Sequence, residues 1–223
     1  MVKVGVIGLQ GDVSEHIEAA RKALENLGVA GEVVWLRKPE QLEGISAIII
    51  PGGESTTISR LMVKNGLLEP VRKLGEEGLP IMGTCAGLIM LSKEVIGATP
   101  EQRFLGLLDV RVNRNAYGRQ VDSFEAPIRL AFSDEPFPGV FIRAPRIVEL
   151  LNDKVKPIAW LGDRVVGVEQ DNVIGLEFHP ELTDDTRVHE YFLGRSCNGE
   201  SALGAGNLRG RIFRSFRFSL HFH

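Results

Sequence analysis

VKVGVIGLQGDVSEHIEAARKALENLG, residues 2–28, changes its hydrophobic period once, and that change decides the fold. Residues 2–8 are a β-branched run closed by glycine, the pattern of a strand buried on both faces of a parallel sheet. From there Val13, Ile17, Ala20, Leu24 and Leu27 recur every three to four residues, and Gly28 stands where a helix C-cap belongs. Strand followed by helix is the unit of an α/β protein. The unit then repeats. EVVWL (32–36), SAIII (46–50) and LPIMG (79–83) read as short buried strands, while Ser55–Asn65, Leu67–Leu74 and Ala86–Ile96 carry helical spacing. This alternation predicts an open, mixed and mostly parallel sheet with helices on both faces, whose ligands gather at the carboxyl ends of the strands.

Beyond Leu105 the period shortens to two in LLDVRVNR, QVDSFEAPIRL, VFIRAP, RVVGVEQ and NVIGLEF, separated by Gly, Pro, Asn and Asp turns. No linker divides the chain, so these strands are expected to extend the same sheet. Thr183–Leu193 reads as a last helix with Thr183 as N-cap and Asp184 and Asp185 in its first turn. The expected domain spans 1–193. Residues 194–223 hold five arginines, no lysine, one acid (Glu200) and four phenylalanines. That composition reads as an unstructured or artefactual extension rather than an arm for nucleic acid or membrane.

Composition narrows the function. The 223 residues are 43% apolar and 25% charged, the balance of a globular protein. No apolar run reaches the roughly 18 residues of a membrane span, and Asp12 and Glu15 follow the first strand too soon for a secretory signal. A cytoplasmic protein is expected. A net charge of −3 offers no global attraction to nucleic acid. Two cysteines, Cys85 and Cys197, make no disulfide framework, so each is read as a thiol. Gly5, Gly8 and Gly11 miss the dinucleotide-binding spacing, no phosphate loop or metal-ligand cluster is visible, and no cofactor is called for.

Gly83-Thr84-Cys85-Ala86-Gly87, between a strand and a helix, has the form of a nucleophile elbow with cysteine as the nucleophile. The glycines permit a sharp turn that lifts the sulfur above the strand end, and a helix N-terminus there favours thiolate. Phe178-His179-Pro180-Glu181-Leu182 follows the last strand. It offers a histidine with a carboxylate two residues on, along an extended segment, to fix the imidazole. Pro51-Gly52-Gly53-Glu54-Ser55-Thr56 follows the strand SAIII. Its glycines let backbone N–H groups approach a ligand, so that Gly53 together with Ala86 could form an oxyanion hole. The same loop can equally serve as a plain turn with Ser55 capping the helix. Cysteine, histidine and glutamate at sheet ends specify acyl transfer through a thioester.

These segments, with LQGD (9–12), RNAYGRQVDSFE (114–125) and FIRAP (141–145), resemble the class I (triad) glutamine amidotransferases. Within that class they are similar to the glutaminase subunits of pyridoxal 5′-phosphate synthase, over about Val4 to Leu193. The resemblance implies the flavodoxin-like three-layer sandwich of that class. It also implies hydrolysis of L-glutamine to glutamate and ammonia, which passes to a separate synthase barrel subunit. It makes Cys85 the nucleophile, His179 and Glu181 its relay, and Gly53, Glu54, Ser55, Arg114, Ile142 and Arg143 the glutamine-binding residues. A carboxylate for the substrate ammonium and guanidinium groups for its carboxylate suit a zwitterionic amino acid. Gln10 is implied to lie near the oxyanion site and the partner interface, in a loop that the partner reorders together with the Gly52-Gly53 peptide. Relatives of this kind end soon after the last helix, leaving 194–223 without counterpart. Competing readings are a glutaminase serving another synthase, such as imidazole glycerol phosphate synthase, a silent binding module, and a stand-alone cysteine hydrolase.

Overall fold

The computed structural model describes residues 1–116 and 123–200, with the side chains of 197–200 left aside. The tail over 201–223, the 117–122 part of the RNAYGRQVDSFE motif and the Cys197 side chain therefore lie outside the described residues, and with them what the sequence leads one to expect there. The elements run β1 (Val2–Ile7), α1 (Val13–Asn26), β2 (Gly31–Leu36), β3 (Ala47–Ile50), α2 (Ser55–Lys64), α3 (Leu68–Glu76), β4 (Ile81–Thr84) and α4 (Ala86–Leu91). There follow β5 (Ser92–Ile96), β6 (Leu108–Asn113), β7 (Ser123–Leu130), β8 (Ser133–Ile142), β9 (Arg146–Leu150), β10 (Lys156–Leu161), β11 (Arg164–Gln170), β12 (Val173–Leu176) and α5 (Arg187–Glu200).

Nine strands form one sheet in the order β2-β1-β3-β4-β12-β11-β10-β7-β8. From β2 to β12 every neighbour is parallel. From β12 to β8 every neighbour is antiparallel. The apolar runs explain the parallel half. In β3, Ala47 and Ile49 join the core under α1 and α5, while Ile48 and Ile50 join the opposite core under α2, α3 and α4. Each such isoleucine, wholly buried, contributes about 1.5–3 kcal/mol. The three-layer α/β class stands.

Three local expectations are corrected. The helical pattern of Ala86–Ile96 breaks at Ser92, whose Oγ donates to the Leu88 carbonyl (2.7 Å) as the chain turns extended. The rest, β5, leaves the main sheet and forms a three-stranded sheet with β6 and β9, so LLDVRVNR does not extend the large one. The last helix starts at Arg187, not beside Thr183. Thr183 Oγ instead accepts from the Asp185 N–H (3.3 Å) in a local turn, and Asp185 Oδ1 accepts from the Arg187 N–H (3.1 Å), so both aspartates precede the helix. That helix runs on past Leu193 to Glu200.

Candidate active site

β1, β3, β4 and β12 lie side by side in the sheet and point the same way, so the loops at their carboxyl ends share one rim. Between β1 and β3 the chain order reverses, the topological switch point at which such sheets bind ligands. The four loops bring Gln10 and Asp12, the 51–54 segment, Cys85, and His179 with Glu181.

Cys85 sits between β4 and α4 with φ 50° and ψ −106°, a strained backbone for a non-glycine residue. Its N–H donates to the Leu176 carbonyl (2.8 Å), locking the elbow to β12. The neighbouring glycines are sterically required. A Cβ on Gly83 would stand 2.5 Å from the Gly87 carbonyl, and one on Gly87 would stand 2.1 Å from the Ile50 oxygen. Sγ approaches the Ile142 carbonyl at 3.7 Å and lies within range of the His179 imidazole.

His179 is buried, and its backbone N–H donates to the Val140 carbonyl (2.8 Å) of β8. Pro180–Leu182 forms a 3₁₀ turn, not the extended segment expected. Proline at its first position suits that turn. The turn carries Glu181 Oε1 to 2.7 Å from His179 Nδ1, and Asp12 Oδ2 stands 3.3 Å from the same nitrogen. Burial alone would depress the His179 pKa. Interactions with Asp12, Cys85 and Glu181 outweigh it and push the value up to about 12. Burial pushes the Glu181 carboxyl up, and the His179 cation pulls against it. His179 Nε2, the nitrogen turned away from the carboxylates, forms no hydrogen bond and stays available to a reacting atom.

The loops after β1 and β3 are tied together. Asp12 N–H donates to the Gly52 carbonyl (3.2 Å), and Gln10 Oε1 accepts from the Glu54 N–H (2.8 Å). Gly11 has φ 98°, and a Cβ there would fall 1.7 Å from the Gly52 oxygen. Gly53 packs against Gln10 in the same way, its notional Cβ 2.4 Å from Oε1. Ala86 opens α4, where first-turn N–H groups have no intrahelical acceptor.

Glu54, not Ser55, caps α2, accepting from the N–H groups of Thr56 (3.0 Å) and Thr57 (2.7 Å). Partial burial opposes ionisation, but those bonds hold its carboxyl below the usual range. Arg114 Nη2 reaches Glu54 Oε1 at 3.3 Å, while its Nη1 donates to Thr56 Oγ1 (3.1 Å) and Gln102 Oε1 (2.8 Å). Ile142 and Arg143 are exposed at the end of β8, with Arg143 at φ 42°. The structure thus links Gln10, Glu54, Arg114 and, through Gln102, Ser55 by hydrogen bonds and ion pairing, and sets the Ile142 carbonyl, next to Arg143, against Sγ.

Sequence reading missed three contributors: Asp12, Gln102 and His16. Gln102 is buried and links Arg114 to Ser55 Oγ (3.4 Å), yet it lies in an irregular segment with no motif around it. Asp12 was visible in LQGD but without a partner. Among the described residues, the ligand-type atoms of Asp12, His179 and Glu181 fall within 4.8 Å of one another. That group is the histidine and its carboxylates, and the 2.7 Å between Nδ1 and Oε1 is a hydrogen-bond separation.

A family model for the SNO glutamine amidotransferases matches residues 6–198. The chain belongs to the SNO glutamine amidotransferase family. Among its SNO relatives, a pyridoxal 5′-phosphate synthase subunit PdxT of Thermococcus gammatolerans is 92% identical over 196 residues, covering 88% of this chain and 100% of that one. The PdxT subunit of Methanopyrus kandleri is 51% identical over 86% of this chain and 98% of its own. A crystal structure described as a glutamine amidotransferase superposes with TM-score 0.77 at 48% identity, covering 87% of this chain and 98% of that chain. The PurLQS structure from Thermotoga maritima, 17% identical with TM-score 0.62 over 89% of this chain and 97% of its own, shares the fold. No helix among the described residues is long and apolar enough to cross a membrane.

Proposed function

We propose that this SNO-family chain is the glutaminase subunit of a pyridoxal 5′-phosphate synthase, hydrolysing L-glutamine to L-glutamate and ammonia and delivering the ammonia to a synthase barrel subunit in the cytoplasm. The observation that carries it is the strained Cys85 elbow beside a histidine whose Nδ1 is held by Glu181 at 2.7 Å and whose Nε2 is left without a partner.

With the shared proton already held by the His179 imidazolium, Sγ attacks the side-chain amide carbon, and the carbonyl electrons move onto oxygen. Gly53 and Ala86 N–H groups receive that oxyanion, each such donor being worth about 10²–10³ in rate. Collapse breaks the C–N bond, and the His179 imidazolium protonates the leaving nitrogen to give ammonia. Its raised pKa keeps that proton in place until the leaving group needs it. Water then attacks the thioester with neutral His179 as base, and glutamate departs as sulfur regains its electrons. Glu54 receives the substrate ammonium and Arg114 and Arg143 its carboxylate, with Ser55 and the Ile142 backbone completing the pocket. Substrate thereby replaces the Arg114–Glu54 pair of the empty site. Gln10 and Asp12 grip the Gly52-Gly53 peptide, so the barrel subunit activates by loosening that grip. The chemistry is assigned to 1–193, and none of it to 194–223.

The test is a glutaminase assay with and without the synthase barrel subunit, on the wild type and on Cys85→Ala. The wild type should turn over faster with the barrel. Cys85→Ala should lose turnover while still assembling. Turnover by Cys85→Ala, or tight assembly only with a different synthase, refutes the proposal.

A further inference from the structure

Behind the triad lie two fully buried histidines that the chemistry above does not use, His16 on α1 and His189 on α5. His16 Nε2 stands 3.2 Å from Glu181 Oε2, the carboxylate oxygen that does not face His179, and 2.9 Å from Thr84 Oγ1, the residue before the nucleophile. His16 Nδ1 meets His189 Nε2 at 3.0 Å. We infer that His16, backed by His189, is a positioning residue for the glutaminase: Glu181 Oε2 is buried with no hydrogen-bond partner, and the His16 Nε2–H dipole, bonded to Thr84 Oγ1, stands 3.2 Å from it and steadies the carboxylate whose first oxygen holds His179. This rests on the triad reading of Cys85, His179 and Glu181.

Hydrogen-bond chemistry settles where the protons sit. A carboxylate only accepts, whereas a neutral imidazole has one donor and one acceptor nitrogen. With the proton on His16 Nε2, that nitrogen donates to Thr84 Oγ1 and turns its positive end towards Glu181, and His16 Nδ1 accepts from His189 Nε2–H. His189 Nδ1, buried without a partner, is then a bare lone pair. The reverse chain, with Thr84 donating to His16 Nε2, sets a bare imidazole lone pair 3.2 Å from the Glu181 carboxylate and strands His189 Nδ1–H as a buried orphan donor, the costlier arrangement. Neutrality matters as much as direction. Burial lowers the His16 pKa well below 6.5, and the neighbouring His189 and the His179 cation act in the same direction, while burial lowers His189 to about 4. The groups around Glu181 are thus the His179 cation, the Asp12 side chain, and His16, His189 and Thr84, which carry no charge. A neutral donor orients the carboxylate without competing with the His179 cation for it.

The test uses the full chain assembled with the synthase barrel subunit, following kcat, KM and the pH profile of kcat/KM for three His16 variants, with thermal unfolding alongside. Gln places its amide nitrogen where Nε2 was, Asn places its own near Nδ1, and Leu donates nothing. His16→Leu and His16→Asn should lose about 10- to 100-fold in kcat, the scale seen when outer-shell partners of metal-bound histidines are removed. KM should hold, since His16 touches no substrate. The acidic limb of the profile should move to higher pH as Glu181 loses the N–H dipole that stands 3.2 Å from Oε2. His16→Gln should recover most of the rate and return the limb. If Leu does not fold, the Gln–Asn pair still decides. Equal kcat in Gln and Asn, or losses that merely follow the unfolding temperature with no shift of the limb, overturn the inference. Cys85→Ala runs beside them: an inactive Cys85→Ala with a fully active His16→Asn sinks only this inference, while an active Cys85→Ala sinks the triad itself.

Discussion

At the scale of single residues the site depends on what glycines leave out. Gly52 is buried with its Cα against the imidazole, where a Cβ would stand 2.4 Å from His179 Cε1 and 3.0 Å from Asp12 Oδ2. Gly52→Ala must therefore displace the ring or the loop. A displacement of about 1 Å at the reacting groups can cost 10²-fold in rate. Gly52→Ala should accordingly lose about that factor in kcat while unfolding near the wild-type temperature; a kcat within a few-fold of wild type would show that the ring moves freely. The triad was legible because the motif flanking each member has a steric reason: glycines around Cys85, and a proline that starts the turn carrying His179 to Glu181. His16 was not legible. It sits in the buried stripe of α1 among Val13, Ile17 and Ala20, where a histidine reads as one more core position, and its partner His189 is 173 residues away. Gln102 was hidden for a similar reason, since its contacts with Arg114 and Ser55 join segments unrelated in sequence.

At the scale of elements, two backbones run almost in contact where β3 passes α4, and that closeness sets the height of the sulfur. Gly83 pairs with Ile50 and with Gly175 in the parallel ladder, while Gly87 lies against the Ile50 carbonyl. The obstacle at Gly87 is backbone, which cannot rotate aside. Gly87→Ala should push α4 off the sheet and destabilise the fold by about 1–3 kcal/mol, the range for overpacked interiors. It should also lower glutaminase activity beyond any loss of folded protein, because Ala86 and Cys85 move with the helix. Denaturant unfolding and rates per folded molecule separate the two effects, and an unchanged unfolding midpoint would contradict the close approach. Element boundaries were legible where period and punctuation agree, as in β1 and α1. They failed after Leu91, where SKEVI continues an apolar spacing that suits a helix, and only pairing with β6 makes it a strand. The Thr183 helix start failed because a local side-chain turn competes with capping at the same kind of residue.

At the scale of the whole molecule, buried carboxyls and buried histidines give stability opposing dependences on pH. Glu177, between β12 and the triad histidine, is fully buried and accepts from the Ile147 N–H (2.7 Å) of β9 and from Arg164 of β11. Burial dominates, and the pull of the Arg164 charge and the Ile147 bond leaves its carboxyl at about 7. A carboxyl raised from 4.5 to about 7 binds extra protons in the folded state, so its contribution is fully present below pH 4.5 and is lost as pH rises towards 7. Glu181, also raised, has the same sign. His189 has the opposite one. Lowered from 6.5 to about 4, it contributes above pH 6.5 and loses that contribution as pH falls towards 4, with His16 acting alongside. Each of the Glu177 and His189 shifts corresponds to about 3 kcal/mol, so across pH 4.5–6.5 they largely cancel. Glu177→Gln removes one side of that balance. Its unfolding free energy relative to wild type should rise by about 3 kcal/mol between pH 4.5 and 8, and its own stability should fall more steeply on acidification below 6.5. Denaturant melts of both proteins across that range measure the difference directly. A difference that stays constant with pH would mean that Glu177 is ionised throughout, with Arg164 and the Ile147 N–H compensating fully for its burial at the seam between the large sheet and the small one.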